Sequence, residues 1–120
     1  MEQKYKELLL KDLCARLPYG VKAEITWWCM GEGVGIDAML EPNHIEDLIN
    51  DTEGEMEIKP YLRSMKDMTE EEEIEFQEIN LFELPYTVEG LDWLNAHHFD
   101  YRGLIGEGLA LEAKEGMYIS

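Results

Sequence analysis

The chain has 27 Asp+Glu against 10 Lys+Arg in 120 residues, a formal charge of −17. A field of that sign repels nucleic acid and anionic lipid and favours cations or a basic protein surface, so neither direct nucleic-acid binding nor membrane association is expected. The hydrophobic fraction of 45% and the three Trp, six Tyr and three Phe suit one globular domain over residues 1–120, long enough to fold without staples.

Residues 2–17 read as an amphipathic helix, with Tyr5, Leu9, Leu13 and Leu17 at helical spacing, flanked by Leu8, Leu10 and Cys14. Its longest apolar run, Leu8-Leu9-Leu10, is too short for a signal peptide or a spanning helix. Cytoplasmic residence is the expectation. Pro18-Tyr19-Gly20 ends the helix and the period changes to two. Val21, Ala23, Ile25, Trp27 and Cys29 alternate with Lys22, Glu24, Thr26, Trp28 and Met30, as in a strand with one buried face. After Gly31-Glu32-Gly33, a second alternation runs through Val34, Ile36, Ala38 and Leu40, which predicts a hairpin. Cys14 and Cys29 sit among apolar residues and are expected to behave as small buried hydrophobes with no disulfide.

Pro42-Asn43 breaks the second strand, Ile45–Ile49 is expected as a third, and Met56–Leu62 as a short strand entering a tight turn at Lys59-Pro60-Tyr61. Thr69-Glu70-Glu71-Glu72 is a capping box opening a helix to about Ile79. Pro85 separates it from a helix over Val88–His98, and a turn near Asp100 leads to Leu109-Ala110-Leu111 and a tail ending at Ile119. The acid is regional: residues 41–83 hold 15 acidic and 3 basic residues, a net −12, against −1 for 1–40 and −4 for 84–120.

Few motifs carry chemistry. His97 and His98 are the metal or acid–base candidates, with His44 as a third member. Adjacent helical residues project about 100° apart, whereas zinc-binding helices place histidines at i and i+4. The structural alternative puts His98 on the Leu91/Leu94 face and His97 near the helix end, with Asp100 as a partner. The run from Glu70 to Glu73 reads as a solvated helix start, and Asn50-Asp51-Thr52-Glu53-Gly54 lacks calcium-loop spacing. Gly31-Glu32-Gly33-Val34-Gly35 lacks phosphate-loop spacing. No nucleophile motif is present, so no catalytic residue and no cofactor is assigned. Lys59, Arg63 and Lys66 beside Tyr61 lie in the most acidic region and read as local charge pairing, not as a nucleic-acid footprint.

Three blocks carry a resemblance: Glu7 to Val21, Ile58 to Met65 with Met68 to Glu72, and Asp92 to Ile105. Over roughly half the chain these are similar to a family of small, acidic, uncharacterised proteins from gut anaerobic bacteria and their phages and mobile elements. The resemblance implies a prokaryotic or phage cytoplasmic setting and no activity.

The expected fold is α+β: an N-terminal helix on a small antiparallel sheet of three to five strands, then C-terminal helices. A partly closed, SH3-like barrel between residues 20 and 63 is the alternative closure. The favoured function is non-enzymatic: an accessory or protein-interaction protein of phage or mobile-element type that binds another protein. Its candidate patch is Trp28 with Met30 on the polar face of the first strand. One rival is an acidic decoy that mimics DNA, using Glu53, Glu55, Glu57, Glu70, Glu71 and Glu73 as the carboxylate face. Another is a small metal- or ligand-binding protein built on His97 and His98.

Overall fold

In a computed structural model, which describes residues 3–80 and 86–118, the elements run α1 (Gln3–Arg16), β1 (Lys22–Cys29), β2 (Glu32–Met39), α2 (Pro42–Asn50), β3 (Met56–Leu62), α3 (Glu70–Ile79), α4 (Val88–Ala96) and β4 (Leu111–Glu112). The expected break at Pro85 and the end of the tail at Ile119 lie outside the described residues. The strands form one open sheet in the order β2-β1-β3-β4. The fold is α+β, and the SH3-like closure is corrected: β2 and β4 are the two edges and do not meet. No helix among the described residues is long and apolar enough to cross a membrane.

The hairpin turns more tightly than its glycines suggest. Met30 and Gly31 alone form the loop, with φ of 53° and 83°, the two positive values that a two-residue turn needs to match strand twist. Met30 is therefore a turn residue and not part of a strand face. The predicted strand at Ile45–Ile49 is instead the heart of α2. Pro42 stands in its first turn, and Glu41 and His44 cap each other's backbone reciprocally, so the segment has the start signals of a helix. Its Ile45 and Leu48 are buried at helical spacing.

No turn interrupts Met56–Leu62. Trp28 N–H donates to Glu55 O at 2.7 Å, which fixes the alternation of bonded pairs between β1 and β3. By the same register Pro60, opposite Ala23, occupies a non-bonded position and its missing N–H costs no ladder bond.

One face of the sheet receives α1 and α2. Leu9, Leu13, Ile45 and Leu48 from the helices pack with Val21, Ala23, Ile25, Ile58 and Leu62 from the sheet end of the core. A second core gathers Trp93, Leu94 and Phe99 with Phe76 and Ile79 of α3. Between them lies a buried polar joint. Asp12 accepts from Arg16 Nε at 2.8 Å and from Arg102 Nη1 at 2.7 Å, while Arg16 Nη2 donates to Phe99 O at 2.7 Å. Arg16 and Asp12 both have 0% exposure.

The α3–α4 junction is held by Asn80, whose Oδ1 accepts from Thr87 N at 2.7 Å and from Thr87 Oγ1 at 3.0 Å. Thr87 in turn caps α4 by accepting from Gly90 N. A methyl on Gly90 would lie 2.9 Å from Asn80 Cγ. Gly90→Ala is thus expected to cost about 1–3 kcal/mol through overpacking, read as a lower urea midpoint at unchanged slope.

Both cysteines depart from the expected burial. Cys14 and Cys29 are free and exposed, because among the described residues no element covers the polar side of α1 at Cys14 or the end of β1 at Cys29.

Candidate functional site

The histidines are held on separate supports. His44 lies at the start of α2, where its Nδ1 accepts from Glu41 N at 3.0 Å. His97 caps the end of α4 and stacks on Trp93 at a ring separation of 4.0 Å. The chain then turns through His98, whose φ is 63°, so that its ring faces away from the helix and stacks on Tyr118 at 3.7 Å. Asp100 pairs with neither: its carboxylate accepts from Leu104 N and Ile105 N at 2.8 and 3.0 Å. Among the described residues no three His, Cys, Asp or Glu side chains gather to hold a metal ion.

His97, His98 and Tyr118 line a cleft of about 1040 Å³ together with Arg63, Glu72 and Lys114. Three of its charged side chains are engaged in ion pairs. Arg63 grips Glu72 with two bonds of 2.7 and 2.8 Å, which holds the Glu72 carboxyl down at about 2. Lys114 bonds Asp37 at 3.1 Å. Burial pushes His98 down to about 4, helped by the nearby Arg16 charge, and pushes the Tyr118 phenol up to about 12. The Tyr118 hydroxyl accepts from Lys22 N at 2.8 Å and donates to Tyr61 O at 2.7 Å. The His98 side of the cleft is thus a neutral ring under an anchored aromatic cover.

The acidic candidates lie in two stretches of the chain, at the start of β3 and at the start of α3. Glu53 and Glu55 are exposed before β3 and Glu57 lies within it, paired with Lys59 at 3.4 Å. Glu70, Glu71 and Glu73 are exposed in the first turn of α3. Residues 58–69 lie between the two groups along the chain.

The far end of the hairpin carries apolar side chains that no described element covers. The alternation along β1 buries Val21, Ala23 and Ile25, but Trp27 on the same face is 38% exposed. On β2 the facing residues Val34 and Ile36 are 65% and 46% exposed. These three are neighbours, since Trp27 pairs with Val34 and Ile25 with Ile36. The helices that cover the sheet elsewhere leave this end open, so on β2 only Ala38 is partly buried against the core, contrary to its sequence pattern. On the opposite face Trp28, 45% exposed, lies across Gly33, and Asp37 accepts from Tyr61 Oη at 2.8 Å. The Tyr61 hydroxyl first, then Lys114, hold the Asp37 carboxyl below its usual range.

The backbone of β2 is also open. Leu40 N–H donates to Val21 O at 2.9 Å, so in the β1–β2 register the even-numbered residues of β2 bond to β1. Gly33, Gly35, Asp37 and Met39 therefore turn their N–H and C=O groups outward along the edge. Of the two residues proposed from sequence, Trp28 belongs to this site and Met30 stands fully exposed at its tip. Sequence reasoning missed Trp27, Val34 and Ile36, because alternation marks a face as apolar without saying whether anything covers it. No family model, no curated protein and no solved structure matches the chain.

Proposed function

We propose that this chain is a protein-interaction module, an accessory protein of the phage or mobile-element kind, that docks another protein on the free edge of β2. The observation that carries the reading is an eight-residue edge strand of which seven residues are exposed, with an apolar cluster of Trp27, Val34 and Ile36 at its open end. Sheet proteins ordinarily blunt such an edge with Lys, Pro, a bulge or a covering loop. Residues 32–39 contain neither Lys nor Pro, and their pairing to β1 runs without a bulge.

The test is affinity capture from host lysate with the wild type, Gly35→Pro and Val34→Lys, at low and high salt. Gly35→Pro deletes an outward N–H while sparing the bonds to β1, and proline is tolerated on strand edges. Val34→Lys places a charge on an exposed apolar site. A partner retained by the wild type at high salt and lost from both variants is the expected result. A partner held equally by all three proteins would overturn the edge reading. If that partner were a basic DNA-binding protein released by salt, the DNA-mimicking decoy would take its place, since exposed charges are screened as ionic strength rises.

A further inference from the structure

The charges that line the cleft under Tyr118 sort by depth. Lys22, Arg63 and Glu72 are half-buried beside the buried ring of His98, whereas Asp67, Glu71, Glu75, Glu112, Glu115 and Lys114 are exposed. Arg63 and Glu72 neutralise each other, and Lys114 is taken by Asp37 of β2. What remains is a cation within, Lys22, and carboxylates at the rim. From this ordering we infer that the cleft binds a short zwitterionic peptide, its C-terminal carboxylate inward at Lys22 and His98 and its ammonium groups outward among the rim carboxylates. The site lies apart from the open edge of β2 and does not depend on the docking role proposed above.

Lys22 opens β1, and its ammonium donates to Met117 O at 3.2 Å. An ammonium has three donors, so two remain for a ligand. Among the described residues no carboxylate comes within ion-pair distance of it. A charge withdrawn from water is ordinarily paired, and a ligand carboxylate supplies the missing partner. Tyr118 joins this lysine to His98, since its hydroxyl accepts from Lys22 N at 2.8 Å while its ring stacks on the imidazole. His98 is 8% exposed, and its Nδ1 meets no hydrogen-bond partner. Burial, then Arg16, His97, Arg63 and Lys22, keep that ring neutral. The same groups oppose a further positive charge at the floor, so the carboxylate is the end that enters. At the rim, Glu75 accepts from Trp93 Nε1 at 2.9 Å, and Asp67, Glu71, Glu112 and Glu115 make no ion pair among the described residues. They come from two pieces of chain, the start of α3 with the residues before it and β4 with the tail beyond. No three of them gather to hold a metal ion, which suits ammonium groups spaced along a flexible ligand. The volume of about 1040 Å³ stands at the upper end of small-molecule sites, roughly 300–1000 Å³, with room for two or three residues.

The experiment is isothermal titration calorimetry with the tripeptide Lys-Ala-Ala in three forms: the free acid, the C-terminal amide, and the free acid with both amino groups acetylated. The free acid is expected to bind at least tenfold more tightly than either other form. The amide is the sharper control. It has one more net positive charge than the free acid, so simple attraction to an acidic protein would rank it first. Lys22→Met, checked for native circular dichroism, is expected to abolish the preference for the free acid over the amide. Glu112→Gln/Glu115→Gln is expected to weaken the free acid at least threefold and to leave that preference intact. An amide that binds as tightly as the free acid would overturn the inward carboxylate and leave only charge attraction at the rim. Preference for the free acid that survives in Lys22→Met would overturn the role of Lys22. Absence of binding by all three forms to the wild type would sink the peptide site altogether, with the β2 edge untouched by that result.

Discussion

Replacing Asp12 by alanine is expected to lower stability by about 3–5 kcal/mol, the usual consequence of removing one partner from a buried ion pair. Asp12 is the acceptor for both Arg16 and Arg102. Arg102 retains a path to solvent, with its side chain 18% exposed, but Arg16 has none and is held between the two cores by its bond to Phe99 O. Without Asp12 its guanidinium would keep its charge in a site closed to water. The double variant Asp12→Leu/Arg16→Met separates this cost from the loss of contacts. It removes more groups yet is expected to be more stable than Asp12→Ala alone, because an apolar pair leaves no buried charge behind. Urea unfolding of the three proteins at pH 7 reads the result. A loss below about 1 kcal/mol for Asp12→Ala would show that the joint does not couple the cores.

Acidification from pH 7 to pH 5 is expected to remove about 2 kcal/mol through His98 alone. The folded protein holds this imidazole neutral down to about 4, whereas the unfolded chain protonates it near 6.5. Between those values the unfolded state binds more protons, so this contribution is fully present above about 6.5 and disappears as the pH falls toward 4. The physical origin is burial first, and then the surrounding cations, Arg16 foremost. A proton on His98 would place charge in a site already bordered by Arg16 and His97. His98→Asn keeps a side chain that tolerates positive φ and has nothing to titrate in this range. Its stability is expected to fall less between pH 7 and pH 5 by that same increment, whatever its stability at pH 7. Parallel pH profiles for wild type and variant would overturn the assignment. Glu72 acts lower on the scale: its carboxyl is held at about 2 by Arg63, so its contribution is lost as the pH drops below the ordinary carboxylate range toward 2.

Much of the local structure was legible from residue order. The Thr69 box is written in four consecutive residues, and both of its reciprocal bonds form. The hairpin was legible from two alternations across glycines, although the loop proved to be Met30-Gly31. The third-strand reading at Ile45–Ile49 failed because five residues rich in Ile and Leu suit either period. The cap formed by Glu41 and His44 and the proline between them decided for a helix.

The candidate site was half legible. Charge zoning and the place of Trp28 on the polar face of the first strand could be read from sequence, since both are properties of neighbouring residues. The bare edge could not. Trp27, Val34 and Ile36 continue the same apolar alternation as the buried Ala23 and Ile25, and no local rule distinguishes them. Likewise Asp12 and Arg16, four apart on α1 beside Lys11, have the spacing of an ordinary surface pair. Only the packing of Phe99 and Arg102 from the far end of the chain makes them a buried joint.

By itself, the sequence determined the α+β composition, the starts of α1, α3 and α4, the hairpin and the segregation of acid, because periods, caps and charges act over a few residues. The tertiary structure decided which apolar face is covered, which charges are buried and where His98 points. Those outcomes depend on how far α1 and α2 reach across the sheet, and on contacts between residues separated by most of the chain.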